Sequence, residues 1–311
     1  MQMRSPAPGL EGLFDVRYKA FLETVAHVRA RLHRYCSRMT GSPLDGEDVM
    51  QEALLDAYKR IETLDDVSRL QPWLFRIAHN RCIDFLRGNR ARGRAEIAFS
   101  EDAILAVEPA VAQARHAIER LVIHLPPKER ACVLLKEVFE YSLEETADLV
   151  GSTVGGVKAA LSRGRAKLAA LPAEPCGEPR RALDCDASSL LRRYVELFNL
   201  HDWDGVRALT AADARLKVSD CFNGLLSESP YFIEYERNSR PWKIDIGAID
   251  GETVLLVQLQ RGDRWEAAWP IRIHIGDGVI DRIADYYACP WIVETASLMI
   301  GGSTLRPGHL Q

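Results

Sequence analysis

Apolar residues recur at spacings of three and four along the first half of the chain, a pattern typical of amphipathic helices. The pattern covers residues 14–89 and is interrupted once, by the sequence Thr-Gly-Ser-Pro at residues 40–43. It weakens after residue 94 and returns over residues 111–171. We therefore predict two helical blocks, a first block (residues 14–89) and a second block (residues 111–171), joined by a short linker.

The pattern changes beyond a proline-rich spacer at residues 172–186. Residues 188–200 predict one more amphipathic helix, whereas residues 243–246 and 271–275 alternate apolar and polar positions, which indicates β-strands. The Asp-Gly pairs at residues 250–251 and 277–278 stand where hairpin turns would join such strands. We predict that this third block (residues 187–300) is an α+β fold with a curved antiparallel sheet.

Composition narrows the classes of protein that the chain can belong to. The chain has 311 residues and a net charge of −4, lacks an 18-residue apolar run and does not begin with a signal-peptide pattern. Its seven cysteines are scattered and form no metal-ligand spacing, which favours a reducing cytoplasm and predicts no metal or cofactor. Residues 1–171 carry 25 basic against 23 acidic residues, a net charge of +2, and the remainder carries 15 against 21, a net charge of −6.

Basic charge is concentrated where the first block ends. Between residues 76 and 94 there are six arginines and one acidic residue. On a helix, four polar side chains from this stretch share a face opposite an apolar face: Arg76, Asn80, Asp84 and Arg87. Three further arginines, Arg90, Arg92 and Arg94, follow them along the chain. Such a face suits phosphate contacts with some reading of bases, although an amphipathic helix with a merely solvated face has the same pattern.

Two motifs in the first block carry a resemblance to a known family. Residues 72–87, PWLFRIAHNRCIDFLR, resemble region 2 of the extracytoplasmic-function sigma factors, and residues 45–61, DGEDVMQEALLDAYKRI, resemble the polymerase-binding helix of that region. The resemblance implies docking on a coiled coil of the polymerase β′ subunit through Asp48, Gln51, Glu52 and Leu55. It also implies opening of the promoter −10 element, with a base extracted into a pocket made by residues 64–70 and by Asn80.

The second block has the layout of a helix-turn-helix. Ser142 and Glu145 form a capping box for a short helix, Gly151 ends that helix, and residues 152–153 begin a basic helix that would enter the major groove. We expect that second helix to bury Val154, Val157, Leu161, Leu168 and Leu171. The opposite face and its flanks supply the candidate DNA contacts, which are Thr153, Lys158, Ser162, Arg163, Arg165 and Lys167. Arg163 is the candidate for base contact, because a guanidinium pairs bidentately with guanine.

The second block also resembles region 4 of the same sigma factors. The resemblance rests on residues 125–130, LPPKER, and residues 157–168, VKAALSRGRAKL. It implies reading of the promoter −35 element and contact with the β flap of core RNA polymerase. Regions 2 and 4 would be separated by only about twenty residues, without the additional folded region of larger sigma factors. The implied boundaries are 12–90 for region 2, 91–112 for a linker and 113–171 for region 4.

The third block is similar to SnoaL-like domains, which are α+β cones of the nuclear-transport-factor-two-like superfamily. The resemblance rests on residues 194–220. Such cones can be catalytic, can bind a small ligand or can only contact protein, and the sequence leaves these alternatives open. The residue types available for acid–base work are Asp220, His274, Asp285, Tyr286 and Tyr287, and nothing in the sequence brings any two together.

Three interpretations of the whole chain follow. It can be a non-enzymatic sigma factor that acts with core polymerase on promoter DNA, a one-component DNA-binding regulator with an effector-binding cone, or an enzyme with a DNA-binding appendage. The region 2 motifs favour the first, because a simple repressor needs neither a polymerase-docking helix nor a duplex-opening helix. We further expect the acidic third block to regulate the basic half of the same chain.

Overall fold

The structure is a computed structural model that describes residues 10–91, 124–170, 185–250, 252–287, 289–295, 298–300 and 303–305. The chain divides into an N-terminal unit, residues 1–176, and a C-terminal unit, residues 177–311. Both predicted linkers lie outside the described residues except at their ends, and so does Leu171. Because the N-terminal unit includes residues 14–89 and 111–171, the first and second blocks belong to one compact unit.

The first block contains three α-helices, with two short 3-10 helices, Ile61–Thr63 and Val67–Arg69, before the third. The α-helices are α1 (Leu10–Thr40), α2 (Pro43–Lys59) and α3 (Leu70–Ala91). The predicted break between α1 and α2 is confirmed: Gly41 has a φ of 88°, and the Ser42 side chain caps α2 by accepting a hydrogen bond from the Asp45 amide at 3.3 Å. Proline at the first position of α2 costs no hydrogen bond, since that amide has no partner within a helix.

Helices α1 and α2 approach each other closely at Gly46. A Cβ atom added to this glycine would lie 2.5 Å from the Ser37 backbone nitrogen of α1. The neighbouring Glu47 is fully buried and pairs with Arg29 at 3.4 Å. Only glycine permits this crossing distance, so the α1–α2 packing depends on that residue.

In its described part, residues 124–170, the second block contains three α-helices and one π-helical turn. They are α4 (Pro127–Val133), the π-helix Leu134–Val138, α5 (Leu143–Val150) and α6 (Val154–Ala169). The capping box is confirmed, because the Ser142 amide donates to Glu145 at 2.7 Å and the Glu145 amide donates to the Ser142 hydroxyl at 3.1 Å. Gly151 ends α5 in the left-handed conformation, with a φ of 62°. These local rules produce the helix-turn-helix.

The two blocks share one hydrophobic core. Tyr35 of α1 and Phe75 of α3 both contact the ring of Phe139, with centroid separations of 5.8 and 6.4 Å. Arg31 of α1 lies 5.0 Å from the ring centroid of Tyr141. The fully buried Arg130 of α4 donates to the carbonyl oxygen of Met39 at the end of α1. Aromatic packing and buried hydrogen bonds thus join the blocks.

The described residues of the C-terminal unit form α-helices and an eight-stranded sheet. Its helices are α7 (Cys185–Asn199), α8 (Trp203–Ala208), α9 (Tyr231–Arg237) and α10 (Pro290–Thr295). Its strands are β1 (Thr210–Val218), β2 (Phe222–Leu225), β3 (Trp242–Ile249), β4 (Glu252–Arg261), β5 (Arg264–Gly276), β6 (Val279–Asp285), β7 (Leu298–Ile300) and β8 (Ser303–Leu305). The order in the sheet is β2-β1-β6-β5-β4-β3-β7-β8.

The sheet is mixed, which corrects the expectation of a purely antiparallel sheet. Strand β1 pairs in parallel with β6, for example Leu216 with Ile283, while every other pairing among the described strands is antiparallel. The parallel pair arises because a hairpin series, β3 to β6, returns beside β1 from across the sheet. The predicted turn at Asp277-Gly278 is confirmed, with φ values of 51° and 79° that suit a two-residue hairpin.

Helix α7 covers the sheet through an apolar face, as its amphipathic pattern predicted. Tyr194 and Phe198 are fully buried, and Asn199 exchanges two hydrogen bonds with the backbone of Ile244, at 2.8 and 2.9 Å.

None of the helices in the described residues combines the length and apolar composition that a bilayer span requires.

Candidate functional site

Helix α3 presents the predicted polar face to solvent. Arg76, Asn80, Asp84 and Arg87 are all exposed, and Asp84 pairs with Arg87 at 3.5 Å. The opposite face is buried, including Leu74, Ala78 and Cys82. Arg90 lies in the last turns of α3, but its side chain is outside the described ones. The face is therefore available for contacts, while the helix is anchored by its apolar side.

Two residues within this helix have a structural role that the sequence did not indicate. Phe75 is buried, and His79 is buried with its Nδ1 2.9 Å from the Tyr35 hydroxyl. Burial lowers the pKa of His79 to about 4, so the imidazole is neutral near pH 7. His79 therefore orients α3 against α1 and does not add positive charge to the polar face.

The polar face of α3 lines a cleft of about 600 Å³. Asn80, Asp84 and Arg87 contribute to one wall, and Lys128 and Val150 of the second block contribute to another. In this arrangement the second block thus stands beside the face that was predicted to contact DNA.

The segment before α3, predicted as a base pocket, is held by local hydrogen bonds. Asp66 accepts from the amide of Ser68 at 2.9 Å and from its hydroxyl at 2.7 Å. These bonds from Ser68 lower the pKa of Asp66. Leu64 and Leu70 are buried and anchor the two ends of the segment, whereas Asp65 between them is exposed.

The candidate polymerase-binding residues lie along one side of α2 with graded exposure. Asp48 and Gln51 are partly buried, and Gln51 donates to Glu47 at 2.9 Å. Glu52 is exposed, and the Leu55 residue is 54% exposed. Beyond the prediction, Tyr58 and Leu22 are also exposed apolar residues, 44% and 50% exposed. The rings of Tyr18 and Phe21 on α1 pack against the ring of Tyr58, so these three aromatic residues form a cluster at the end of α2.

Helix α6 buries and exposes most of the expected positions. Val157 and Leu161 are buried, whereas Val154 and Leu168 are only partly buried. Two small residues that the sequence analysis missed, Ala160 and Gly164, complete the buried side. Their burial could have been predicted from the helical period, because each lies within one turn of the buried Leu161. The exposed side includes Gly155, Ala159 and the candidates Thr153, Lys158 and Ser162. Thr153 also caps α6 by accepting from the Gly156 amide at 3.0 Å.

Three basic side chains of α6 pair with glutamates of the same block. Glu129 of α4 accepts from Arg163 Nε at 2.9 Å and from Lys167 Nζ at 2.7 Å. Arg165 pairs with Glu137. All three basic side chains nevertheless remain at least half exposed, at 56%, 50% and 60% for Arg163, Lys167 and Arg165.

The two blocks match known family models. A model described as Sigma-70 region 2 matches residues 24–92, and one described as Sigma-70, region 4 matches residues 115–168. The ECF RNA polymerase sigma factor SigW of Bacillus subtilis is 32% identical over 48% of this chain and 87% of its own length. The chain belongs to the extracytoplasmic-function (ECF) family of sigma-70 factors.

A second relative extends through the C-terminal unit. The ECF RNA polymerase sigma factor SigG of Mycobacterium tuberculosis is 29% identical over 92% of this chain and 83% of its own length. A crystal structure of the M. tuberculosis sigma factor SigJ covers 88% of this chain and 98% of its own at 17% identity, with a TM-score of 0.34. This ECF sigma factor binds core RNA polymerase and directs promoter-specific initiation, and its first and second blocks contain regions 2 and 4.

The C-terminal unit of this sigma factor has a buried acid–hydroxyl cluster that the sequence did not reveal. Asp285 Oδ2 accepts hydrogen bonds from the hydroxyls of Tyr231 at 2.8 Å and Tyr235 at 2.6 Å. Burial raises the pKa of Asp285 to about 6, although both tyrosines act in the opposite direction. Both tyrosines lie on α9, one helical turn apart, so their spacing was the available signal.

The other acid–base candidates of the C-terminal unit are dispersed. Tyr286 is buried, Tyr287 is 49% exposed, and Asp220 is exposed in a turn with a φ of 58°. His274 is exposed and pairs with Asp281 at 2.6 Å. Of the five candidates, only the Asp285 side chain belongs to the buried cluster, and the two tyrosines whose hydroxyls it accepts from are not among the other four.

Proposed function

We propose that region 2 recognises and opens the −10 element through the polar face of α3. The observation that carries this proposal is the exposure of Arg76, Asn80, Asp84 and Arg87 on one side of a helix whose other side is buried. Arg76, Arg87 and Arg90 hold phosphates, and Asn80 and Asp84 offer amide and carboxylate groups to bases. Residues 64–70 complete the pocket for an extracted base.

Region 4 reads the −35 element through α6 in the same proposal. Thr153, Lys158 and Ser162 contact the duplex from the exposed side of the helix, and Arg163 contacts a base. Arg165 and Lys167 hold phosphates. Gly155 and Ala159 add no polar group to the exposed side, so part of the specificity comes from DNA shape.

Core polymerase docks on the side of α2 that carries Asp48, Gln51, Glu52 and Leu55. The exposed Leu55 supports this proposal, because an exposed leucine one helical turn before the exposed Tyr58 gives α2 an apolar surface suited to a protein partner. The partner surface is the β′ coiled coil, and region 4 contacts the β flap. This activity takes place in the cytoplasm.

Run-off transcription with purified core polymerase tests these assignments. The Asn80→Ala variant is expected to bind promoter duplex but to lose open-complex formation, measured by permanganate reactivity of unpaired thymines. Ser162→Ala is expected to weaken closed-complex affinity without changing that reactivity. The Asp263→Asn variant, in an exposed hairpin of the cone, is the control. Equal open-complex formation by Asn80→Ala and the control would contradict the region 2 assignment.

The cone regulates the sigma regions of its own chain and has no catalytic role in this proposal. Regulation is supported by charge, because residues 172–311 carry a net charge of −6 and residues 1–171 a net charge of +2. The lack of a catalytic role is supported by Asp285, a buried acid that already accepts hydrogen bonds from two tyrosines. Truncation after Leu171 leaves the hydrophobic core of the N-terminal unit intact. If the C-terminal unit regulates the sigma regions, this truncation is expected to change promoter-dependent transcription. Unchanged transcription and promoter affinity would exclude regulation in cis.

A further inference from the structure

Glu129 stands at the junction of helices α4 and α6 of region 4. It lies in the first turn of α4, and its side chain is only 8% exposed. Burial alone would raise the pKa of this carboxyl, but hydrogen bonds from Lys167 and Arg163 outweigh burial and lower it. The carboxylate is therefore ionised near neutral pH and holds two cations of the neighbouring helix.

The close approach of the two helices depends on Gly164. A Cβ atom on Gly164 would lie 2.8 Å from Val133 Cγ2 and 3.7 Å from Glu129 Cβ. Arg163 and Lys167 flank this contact at a spacing of four residues, so both side chains leave α6 on the side that faces α4. The packing thus places one buried carboxylate between two basic side chains that are each half exposed.

The bond to Arg163 has a particular geometry. Glu129 Oε1 accepts from Nε at 2.9 Å, which leaves the two terminal nitrogens, Nη1 and Nη2, outside this bond. Those two nitrogens can pair end-on with O6 and N7 of a guanine. A guanidinium fixed at Nε loses less rotational freedom when it meets the base than an unrestrained one would.

We propose that Glu129 is a positioning residue for −35 recognition, which holds the Arg163 guanidinium by Nε and presents its terminal nitrogens to a guanine in the major groove. Lys167, fixed on Oε2, is directed in the same way at an adjacent phosphate. The inference rests on the proposed −35 contact of Arg163. It makes a buried acid, which on charge alone opposes DNA binding, a contributor to sequence discrimination.

The test uses the full chain with core polymerase and a promoter library in which the −35 segment is randomised. Selected sequences give the preference for each base at each −35 position. Glu129→Gln is expected to lower the preference at the guanine read by Arg163 about five- to tenfold. Affinity for promoters with a scrambled −35 segment is expected to stay equal or to rise, because a negative charge near phosphates is removed.

Glu144→Gln is the matched control, because it removes the same charge from an exposed glutamate in the first turn of α5. It is expected to leave the base preferences unchanged. The conservative Glu129→Asp variant retains the charge and is expected to restore part of the preference. A purely structural role of Glu129 would lower affinity for all −35 sequences by the same factor, and that result would overturn the proposal.

Arg163→Ala separates this inference from the function on which it rests. If Arg163→Ala leaves every −35 preference intact, the proposed base contact fails and the inference fails with it. If Arg163→Ala removes a preference that Glu129→Gln retains, the base contact stands and positioning by Glu129 is wrong. If Glu129→Gln does not fold, the decision passes to Glu129→Asp, whose base preferences must then differ from those of the wild type. In the background of Arg163→Ala, Glu129→Asp is expected to cause no further loss of preference.

Discussion

Arg31 and Phe139 connect regions 2 and 4 across 108 residues of sequence: Arg31 Nη2 donates a 2.8 Å hydrogen bond to the carbonyl oxygen of Phe139. The same guanidinium lies 5.5 Å from the Phe139 ring centroid and 5.0 Å from that of Tyr141. One side chain of α1 thus satisfies a backbone carbonyl at the end of the π-helical turn and packs against the aromatic residues that follow it.

Replacing Arg31 is expected to weaken this connection. Arg31→Met keeps most of the apolar stem but removes the hydrogen bond and the cation–π contacts, so the free energy of unfolding should fall by about 1–3 kcal/mol. Denaturant unfolding of the full chain measures the change. Arg69→Met, at an exposed arginine, should leave stability within about 0.5 kcal/mol. Equal stabilities of the two variants would show that the Arg31 contacts contribute nothing.

Leu55 provides a test of the proposed polymerase-docking surface without a change in the fold. Because it is 54% exposed, Leu55→Asp should alter stability little but should reduce affinity for core polymerase about tenfold or more. Titration of labelled core polymerase with the full chain measures the affinity. The matched control is Leu200→Asp, at a leucine of the C-terminal unit that is 70% exposed. A loss of affinity in both variants would point to a general effect of added charge.

Replacing Gly46 or Gly155 by alanine is expected to have opposite effects on stability. Gly46→Ala forces a methyl group into the Ser37 backbone and should destabilise the chain by about 1–3 kcal/mol, since α1 and α2 must separate. At Gly155 the nearest atom to an added Cβ is Thr153 Oγ1 at 4.0 Å, so Gly155→Ala should be neutral or stabilising by up to about 1 kcal/mol. Thermal unfolding of both variants decides whether the helix crossing is as tight as described.

The Asp285 carboxyl should make the stability of the C-terminal unit depend on pH in a defined way. Its pKa is raised to about 6, above the value of about 4 in an unfolded chain, so the folded state binds more protons between about pH 4 and pH 6. Stability attributable to this group therefore falls by about 3 kcal/mol as pH rises through that window and is constant above it.

The difference in unfolding free energy between wild type and Asp285→Asn isolates this contribution, because all other carboxyl groups are shared. Tryptophan fluorescence follows the transition, since five of the six tryptophans lie in the C-terminal unit. Wild type should lose stability relative to Asp285→Asn as pH rises from about 4 to 6. A difference that stays constant over this range would show that Asp285 titrates normally.

The helix-turn-helix could be predicted because its determinants are local. The Ser142–Glu145 capping box begins one helix and the left-handed Gly151 ends it, each through contacts within a few residues. Both could therefore be predicted from the sequence. The polar face of α3 followed from the helical period in the same way. The resemblance to known motifs then assigned functions to these surfaces, which periodicity alone leaves equivalent to any solvated helix face.

Relations between distant residues were not accessible in this way. The Asp285 cluster joins the end of β6 to tyrosines about fifty residues earlier, and the parallel pairing of β1 with β6 depends on how the intervening hairpins return. The bond from Arg163 to Glu129 likewise depends on the approach of two helices at Gly164. The local pattern fixed which face of α6 was exposed, but the partner of each charge was set by tertiary packing.

The shared core of regions 2 and 4 limits how promoter specificity can be moved between relatives. Phe139 and Tyr141 belong to region 4, yet Tyr35, Phe75 and Arg31 of region 2 surround them. A chimaera that receives only residues 124–170 from another sigma factor would contain side chains at positions 139 and 141 that pack against the region 2 of that other protein. Grafting a new −35 preference onto this chain therefore requires either exchange of the exposed side of α6 alone or simultaneous transfer of the facing positions on α1 and α3.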